Sequence, residues 1–516
     1  MAPLNRTLTQ RTITGMAWTA WGKAAYAGLQ LGVLAVMARL LAPADFGVVS
    51  AALVVIGFST VFSQLGFGPA LVQRPELEPR HLDTAFSASV LFGALLGAII
   101  WLGAPSAAAL LRIEGVSPVL RVLAWVFPLQ GLGVAAESLL RRELRFQWLA
   151  NLDVSAYAIG YGLVGIALAL AGWGVWALVA GQIAQGLVRT GVLLFHRPPR
   201  LRPTFDLRAF RELLYFGGGF TVAKAANYLA VQGDNLVVGR FLGPQALGFY
   251  GRAYSLMSAP AYGFGTVLDV VLFPAMAKVQ HDPKRLAMAY RRGVSLIALL
   301  VLAPSAALLL LGPEFIAVVL GGRWAPAVAP FQILTIGMLF RTSYKMSDSL
   351  ARSTGAVYRR AWRQILYAAL VLLGAWIGQH WGISGVAWGA LAALAVNFFV
   401  MAELSLSVTG MTWGALWQAH VPAVRLTIAS FPIVLVTTLV LRHFAVPHLA
   451  VLGVAAGVAA ASTLALCVRW PHLFLGSEGL WILEALRGLR PRRRDAGARS
   501  RADGPLYQAA RAEDAP

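Results

Sequence analysis

The chain is poor in charge, and the charge it has is lopsided. Only 13% of its 516 residues are charged, with 43 Lys+Arg against 22 Asp+Glu, where a soluble protein carries about 25%. Lysine is scarce, with five in the chain, and Cys467 is the single cysteine, which excludes internal disulfides and cysteine metal clusters. No Gly-x-x-x-x-Gly-Lys-Ser/Thr motif is present, which argues against ATP hydrolysis. Neither His-Glu-x-x-His nor a paired His/Cys spacing points to a metal, and the eight histidines are scattered. No connection on the weakly basic side is large enough for a catalytic domain, so the chain is read as a non-enzyme with transport as its natural task.

What is present is apolar sequence. The chain is 58% hydrophobic with a mean hydropathy of +0.68, and apolar runs long enough to cross a bilayer as helices recur from end to end. Fourteen helices are expected, at about 14–38, 45–66, 84–110, 118–140, 150–171, 174–195, 214–238, 245–270, 292–311, 327–350, 362–379, 382–405, 421–441 and 448–468. Basic residues gather in alternate connections, as in Arg141-Arg142, Arg197 to Arg211, Lys278 to Arg292 and Arg352 to Arg363. The opposite connections hold little beyond Arg39, Arg112, Arg240, Arg323 and Arg442. That alternation fixes orientation in a membrane, so the net charge of +21 is not read as a nucleic-acid footprint. It places the basic side in the cytoplasm, and an even number of spans puts both termini there. The N-terminus lacks a short apolar segment with a small-residue cleavage site, so the first span is expected to be retained.

The chain also repeats itself. Gly22-Lys23-Ala24-Ala25 and Ala223-Lys224-Ala225-Ala226 match at a spacing of 201 (224 − 23), which also carries Arg39 onto Arg240, Pro43 onto Pro244 and Gly47 onto Gly248. Glu137-Ser138-Leu139 matches Asp348-Ser349-Leu350 at 211 (348 − 137), so about ten extra residues are expected between the eighth and tenth spans. Each unit holds six helices, so the units are expected to insert with one orientation, as a parallel repeat about an axis along the membrane normal. The expected layout is a six-helix bundle over 1–195, a basic cytoplasmic linker over 196–213 and a second six-helix bundle over 214–407. Two further spans follow over 408–470, then a basic amphipathic helix on the inner leaflet over 471–494 and a disordered tail over 495–516.

Ionisable groups inside spans are costly, by roughly 2.5–3.5 kcal/mol on insertion scales, and function is their default explanation. Lys23 and Lys224 sit at matching depth, with Tyr26 and Gln30 on the first helix and Asn227 and Gln232 on the seventh. Such faces are expected to line a wet cleft between the halves, with Arg252, Arg341 and Lys345 adding to a cationic wall. A cavity rich in cations and poor in anions selects an anionic ligand. Asp234, Asp269 and Asp153 are candidates for carrying a coupled proton or sodium. Glu137 and Asp348 are gate candidates, although Arg141 and Arg352 four residues on make intrahelical ion pairs the simpler reading. Arg39 and Arg240 are explained by snorkelling to the interface.

Several segments are familiar together: Ala38-Arg39-Leu40-Leu41-Ala42-Pro43-Ala44-Asp45-Phe46-Gly47, Gln64-Leu65-Gly66-Phe67-Gly68-Pro69-Ala70 and Asp234-Asn235-Leu236-Val237-Val238-Gly239-Arg240-Phe241-Leu242-Gly243. With Phe273-Pro274-Ala275-Met276-Ala277 and Gly321-Gly322-Arg323-Trp324-Ala325-Pro326-Ala327, they resemble the polysaccharide flippases of lipopolysaccharide and colanic-acid type. These belong to the multidrug/oligosaccharidyl-lipid/polysaccharide exporter superfamily. The resemblance implies an all-α integral membrane protein of the multidrug-exporter type, with two six-helix bundles around a central cavity and two C-terminal helices. It implies flipping of a polyprenyl-pyrophosphate glycan across the bacterial inner membrane by alternating access without ATP or a bound cofactor, under an Na+ or H+ gradient. The partners it implies are that lipid-linked glycan, membrane lipid, a polysaccharide polymerase and glycosyltransferases. Lys23 and Lys224 match the cavity cations of related flippases. A small-cation antiporter and a membrane glycan polymerase or ligase are the alternatives.

Overall fold

The computed structural model describes residues 8–63, 68, 71, 78–198 and 206–481 and is helical throughout, with no strand among the described residues. The opening helices α1 (Leu8–Leu40) and α2 (Pro43–Ser63) meet at a short turn in which Asp45 accepts a hydrogen bond from the Ala42 amide (2.9 Å). Next come α3 (Pro79–Leu111), α4 (Val116–Leu123), α5 (Val126–Arg142) and α6 (Phe146–Tyr157). A π-helical stretch at Ala158–Gly165, α7 (Ile166–Leu170) and α8 (Val175–His196) complete the first half.

The second half opens with α9 (Leu207–Lys278), a helical run broken at Gly243, where φ 84 and ψ 179 suit a residue without a side chain. Pro244 follows the break, so α9 turns where the repeat spacing places the turn between α1 and α2. Then come α10 (Pro283–Leu310), α11 (Gly312–Val319), a 3-10 turn at Gly322–Ala327, α12 (Val328–Ile336), α13 (Met338–Ser353), α14 (Val357–Gly378) and α15 (Gly382–Thr409). Helix occupies most of each of the expected ranges, with turns at Ala124–Trp125 and Gly337 interrupting two of them; 64–66 lie outside the described residues. Helix α11 falls where the extra residues of the second half were expected; between α3 and α4 there is only a turn at Arg112–Gly115.

Among the described residues, nine helical segments are long and apolar enough to cross a membrane. Their surfaces agree with that length. On α3, Leu91, Leu95 and Ile99 repeat every four residues and are more than half exposed. An apolar stripe of that kind is stable only against lipid. The opposite face of α3 is built of small residues: a methyl group on Gly93 would lie 2.6 Å from the Phe127 carbonyl oxygen, and one on Gly131 2.4 Å from that of Ser89. Close backbone approach substitutes here for the hydrophobic drive that lipid removes.

The last two spans, α16 (Trp413–His443) and α17 (His448–Arg469), pack on the second half, α16 along α10 and α17 against α11. Arg442 fixes this arrangement, donating to both carboxylate oxygens of the buried Glu314 (2.7 and 2.8 Å) and to the Leu310 carbonyl (2.9 Å). The segment expected on the leaflet at 471–494 is described as far as residue 481, and there it docks on protein. Glu478 is buried and pairs with Arg291 and Arg292 in the third turn of α10, and the Arg292 guanidinium lies 3.9 Å from the Trp481 ring centre. The rest of that segment and the expected tail at 495–516 lie outside the described residues.

Candidate functional site

Where α1 turns into α2, the two halves of the chain close on each other through a reciprocal set of contacts. Gly47 lies against the Pro244 carbonyl and Gly248 against the Pro43 carbonyl. Arg39 donates to the Val318 carbonyl (2.5 Å) in the last turn of α11, and Arg240 donates to the Leu110 carbonyl in the last turn of α3. Each guanidinium thus caps the negative end of a helix from the opposite half of the chain. Arg39 also donates to the Ala35 carbonyl four residues back (3.0 Å), so these exposed ends of the side chains are held by backbone carbonyls at the helix termini. Trp324 completes the seam: fully buried, it meets Phe46 and Phe249 edge-on (5.3 and 5.8 Å between ring centres), and its indole N–H donates to the Ala38 carbonyl (3.0 Å).

Beneath the seam lies a cavity of about 460 Å³ between the halves. Helix α1 contributes Tyr26 and Gln30, α6 and the π-helical stretch contribute Tyr157 and Tyr161, α8 contributes Gln182 and Gln185, and α9 contributes Arg252. Arg252 is the one charged side chain on the described lining. Its guanidinium donates to the Ser50 hydroxyl (3.3 Å) and sits 5.2 Å from the Phe46 ring centre, while its Nε is buried with no hydrogen-bond partner. Among the described residues, no carboxylate pairs with it. A half-buried cation whose buried donor is unused has its desolvation only partly offset, which favours an anionic ligand at that spot.

The tyrosines form one aromatic surface. Tyr157 and Tyr161 stack (5.0 Å between centres, 28° between planes), and Tyr26 meets Tyr157 edge-on (5.1 Å, 69°). Two glutamines fix the rim: the Tyr161 hydroxyl donates to Gln182 Oε1 (2.7 Å), and Gln185 Nε2 donates to the Tyr26 hydroxyl (3.4 Å). Gly160 permits this closeness, since a methyl group there would lie 2.6 Å from Cβ of Gln185.

Tyr26 and Gln30 from one half of the chain and Arg252 from the other line the same cavity. The side chains of Lys23, Lys224 and Asp269 lie outside the described residues. Arg341 is elsewhere: it is buried, donates to the Tyr254 hydroxyl and lines a separate space of about 10 Å³, the size of one water, together with Asp234. Asp234 accepts from the Tyr250 hydroxyl (2.7 Å) and the Asn235 amide (2.8 Å). Gln232 accepts from the Asn235 side chain (2.7 Å), and Asn227 accepts from Gln364 (3.3 Å). Lys345, one turn along from Arg341, is half-buried and borders neither space.

The remaining carboxylates are gathered by arginines. Glu137 pairs with Arg141 (2.7 Å), as the spacing of four predicts, and also with Arg189 (3.0 Å), which reaches Asp153 as well (2.8 Å). Asp348 pairs with Arg352 (3.2 Å) and with Arg360. Sequence reasoning missed Arg189, Tyr157, Tyr161, Gln182 and Gln185. The usable signal was spacing: four between the tyrosines and three between the glutamines put each pair on one helical face.

Residues 36–329 match the family described as polysaccharide biosynthesis protein. The chain belongs to this family. It is 27% identical over 509 residues to the succinoglycan biosynthesis transport protein ExoT of Rhizobium meliloti (strain 1021), covering 95% of this chain and 99% of that one. It is 25% identical over 408 residues to the lipopolysaccharide biosynthesis protein WzxC of Escherichia coli (strain K12), covering 76% and 81%. The teichuronic acid biosynthesis protein TuaB of Bacillus subtilis (strain 168) is 24% identical over 446 residues, covering 85% and 91%. In fold the chain is similar to the lipid II flippase MurJ in an inward closed conformation (TM-score 0.71, 12% identity, 89% of this chain and 99% of that one). It is also similar to an inward-facing multidrug resistance MATE family transporter of the MOP superfamily (TM-score 0.60, 16% identity, 76% and 96%). The chain is a multi-pass helical membrane protein with the fold of these transporters.

Proposed function

We propose that this family member flips a polyprenyl-pyrophosphate-linked oligosaccharide across the bacterial inner membrane, from the cytoplasmic to the outer leaflet. The observation that carries this reading is Arg252, a half-buried side chain whose buried Nε is an unused donor, in a cavity whose described lining holds no carboxylate. A doubly charged phosphate headgroup complements such a site, and the glycan can occupy the wet cavity while the polyprenyl tail stays in lipid. Lys23, an ionisable group in the first apolar run, is the further cation proposed on sequence grounds for the same headgroup. Lys224 is its repeat partner.

The repeat supports the rest of the mechanism. Reciprocal glycine and arginine contacts between matched positions suit two six-helix units related by an axis along the membrane normal, over residues 1–195 and 214–407, joined by the basic linker. With the basic connections and both termini cytoplasmic, the seam faces outward and is closed, so rocking of the units exposes the cavity to alternate sides. Asp234 is our candidate for a gradient-coupled carboxylate, because Glu137, Asp153 and Asp348 are already held by arginines. The polymerase that receives the glycan and the glycosyltransferases that assemble it are the proposed partners.

The decisive experiment reconstitutes the chain in liposomes and follows the leaflet accessibility of a polyprenyl-pyrophosphate sugar. Arg252→Gln should abolish movement while the protein remains folded and inserted, and Arg252→Lys should restore part of it. Unchanged flipping by Arg252→Gln would remove the cavity from the mechanism.

A further inference from the structure

We propose that the Tyr26–Tyr157–Tyr161 surface, with Gln182 and Gln185 at its rim, is a carbohydrate subsite that seats the sugar ring directly attached to the phosphates. The inference rests on the flippase reading and adds a second recognition element to it.

The argument starts from what these residues present to the cavity. A pyranose ring has an apolar face of C–H groups and an equatorial rim of hydroxyls, so it is bound by an aromatic plane below and hydrogen-bonding groups at the edge. Tyr161, backed by the buried Tyr157 on which it stacks with 28° between their rings, supplies the plane, and Tyr26 flanks Tyr157 at 69°. Rings in this arrangement stabilise each other and are fixed by packing, so they cost little ordering on binding. The rim is also built. A primary amide carries two N–H donors and two acceptor lone pairs. The Tyr161 hydroxyl uses one lone pair of Gln182 Oε1, and the Tyr26 hydroxyl uses one N–H of Gln185. Each amide keeps capacity for a sugar hydroxyl while its orientation is set by a tyrosine.

Placement supplies the specificity. Arg252 lines the same cavity as the tyrosines and has an unused donor. A headgroup held there brings the first ring of the glycan within reach of the aromatic surface, because that ring is tethered to the phosphates. Rings further out have no such tether. The subsite therefore reads the first sugar and leaves the remainder of the repeat unit less constrained.

The test is lipid binding to the purified full chain in nanodiscs, comparing undecaprenyl pyrophosphate with undecaprenyl pyrophosphate carrying one hexose. The wild type should bind the hexose-bearing lipid about tenfold more tightly. Tyr161→Leu should erase that difference without changing affinity for the bare lipid, whereas Tyr161→Phe, which keeps the ring, should retain most of it. Arg252→Gln should weaken both lipids together. Equal wild-type affinity for the two lipids, or equal weakening of both by Tyr161→Leu, overturns the subsite and leaves the pyrophosphate reading standing. Failure of the wild type to bind either lipid defeats the flippase reading itself. Should Tyr161→Leu not fold, Tyr26→Leu carries the same prediction from another element.

Discussion

Gly47 and Pro244 touch so closely that a methyl group built on the glycine would lie 1.7 Å from the proline carbonyl oxygen. The repeat-matched pair, Gly248 and Pro43, does the same at 1.9 Å. Backbone, not a mobile side chain, stands in the way, so an added methyl must push the two halves apart. Gly47→Ala or Gly248→Ala should cost about 1–3 kcal/mol, the range for overpacking a close contact. The seam should open in both variants. A cysteine placed at Ala38, in a Cys467→Ser background, should label faster in either glycine variant than in its parent. Unchanged labelling would show that the seam is not held at these glycines.

Arg39 and Arg240 should act as latches on that seam. Each puts a positive charge at the last turn of a helix from the opposite half of the chain, a placement worth about 0.3–1 kcal/mol at an exposed site. Replacing both with Gln should favour the opened form by roughly thirtyfold at the upper end of that range. Either single replacement should give about half the effect in free energy, because the two contacts share no partner. The same cysteine-labelling assay reads the shift.

The Glu314–Arg442 pair should make anchoring of the last two helices acid-sensitive. Burial pushes the Glu314 carboxyl up, but the hydrogen bonds and charge of Arg442 outweigh it and hold the group below its ordinary value of 4.5. A carboxylate depressed in the folded state contributes its full stabilisation above the unfolded value and loses it as pH falls through the folded one. Thermal melts of wild type and Glu314→Gln should therefore differ at pH 7 and converge below about pH 4. A gap that persisted through that range would rule out ionisation of Glu314 as the source.

Arg189 should matter more than any acid it binds. It joins Glu137 to Asp153, so removing it leaves two carboxylates without their shared partner. Arg189→Met should destabilise by about 1–3 kcal/mol, whereas Asp153→Asn, at a half-exposed site, should cost less than 1. Chemical unfolding in detergent would check the ranking.

Asp234→Asn should leave the fold intact, because the Tyr250 hydroxyl can still donate to an amide oxygen. If the carboxylate carries a coupled ion, flipping by this variant should no longer respond to an imposed proton or sodium gradient. A gradient response equal to wild type would exclude Asp234.

The all-helical membrane fold was legible in the sequence, because the length and apolar character of the spans are properties of chain order. The site was legible in part. Tyr26, Gln30 and Arg252 stood out as polar groups inside apolar runs, and the cavity gathers all three. Tyr157 and Tyr161 did not, since neither has a basic residue one turn away as Tyr26 has in Lys23, and the local winding at Ala158–Gly165 is π-helical. Arg341 and Arg39 show another limit. Both are cations in or beside an apolar run, but one faces a small enclosed space with Asp234 and the other a distant helix end. Those partners are set by tertiary contacts between segments far apart in sequence.

Helices α16 and α17 are fastened to α10 and α11 through Arg442 and Glu314. They are passengers of one half, and any rocking displaces them as a block. A probe pair at the lipid-facing positions Val454 and Leu95 would turn that asymmetry into a ruler, reporting the whole excursion as one distance without touching the cavity.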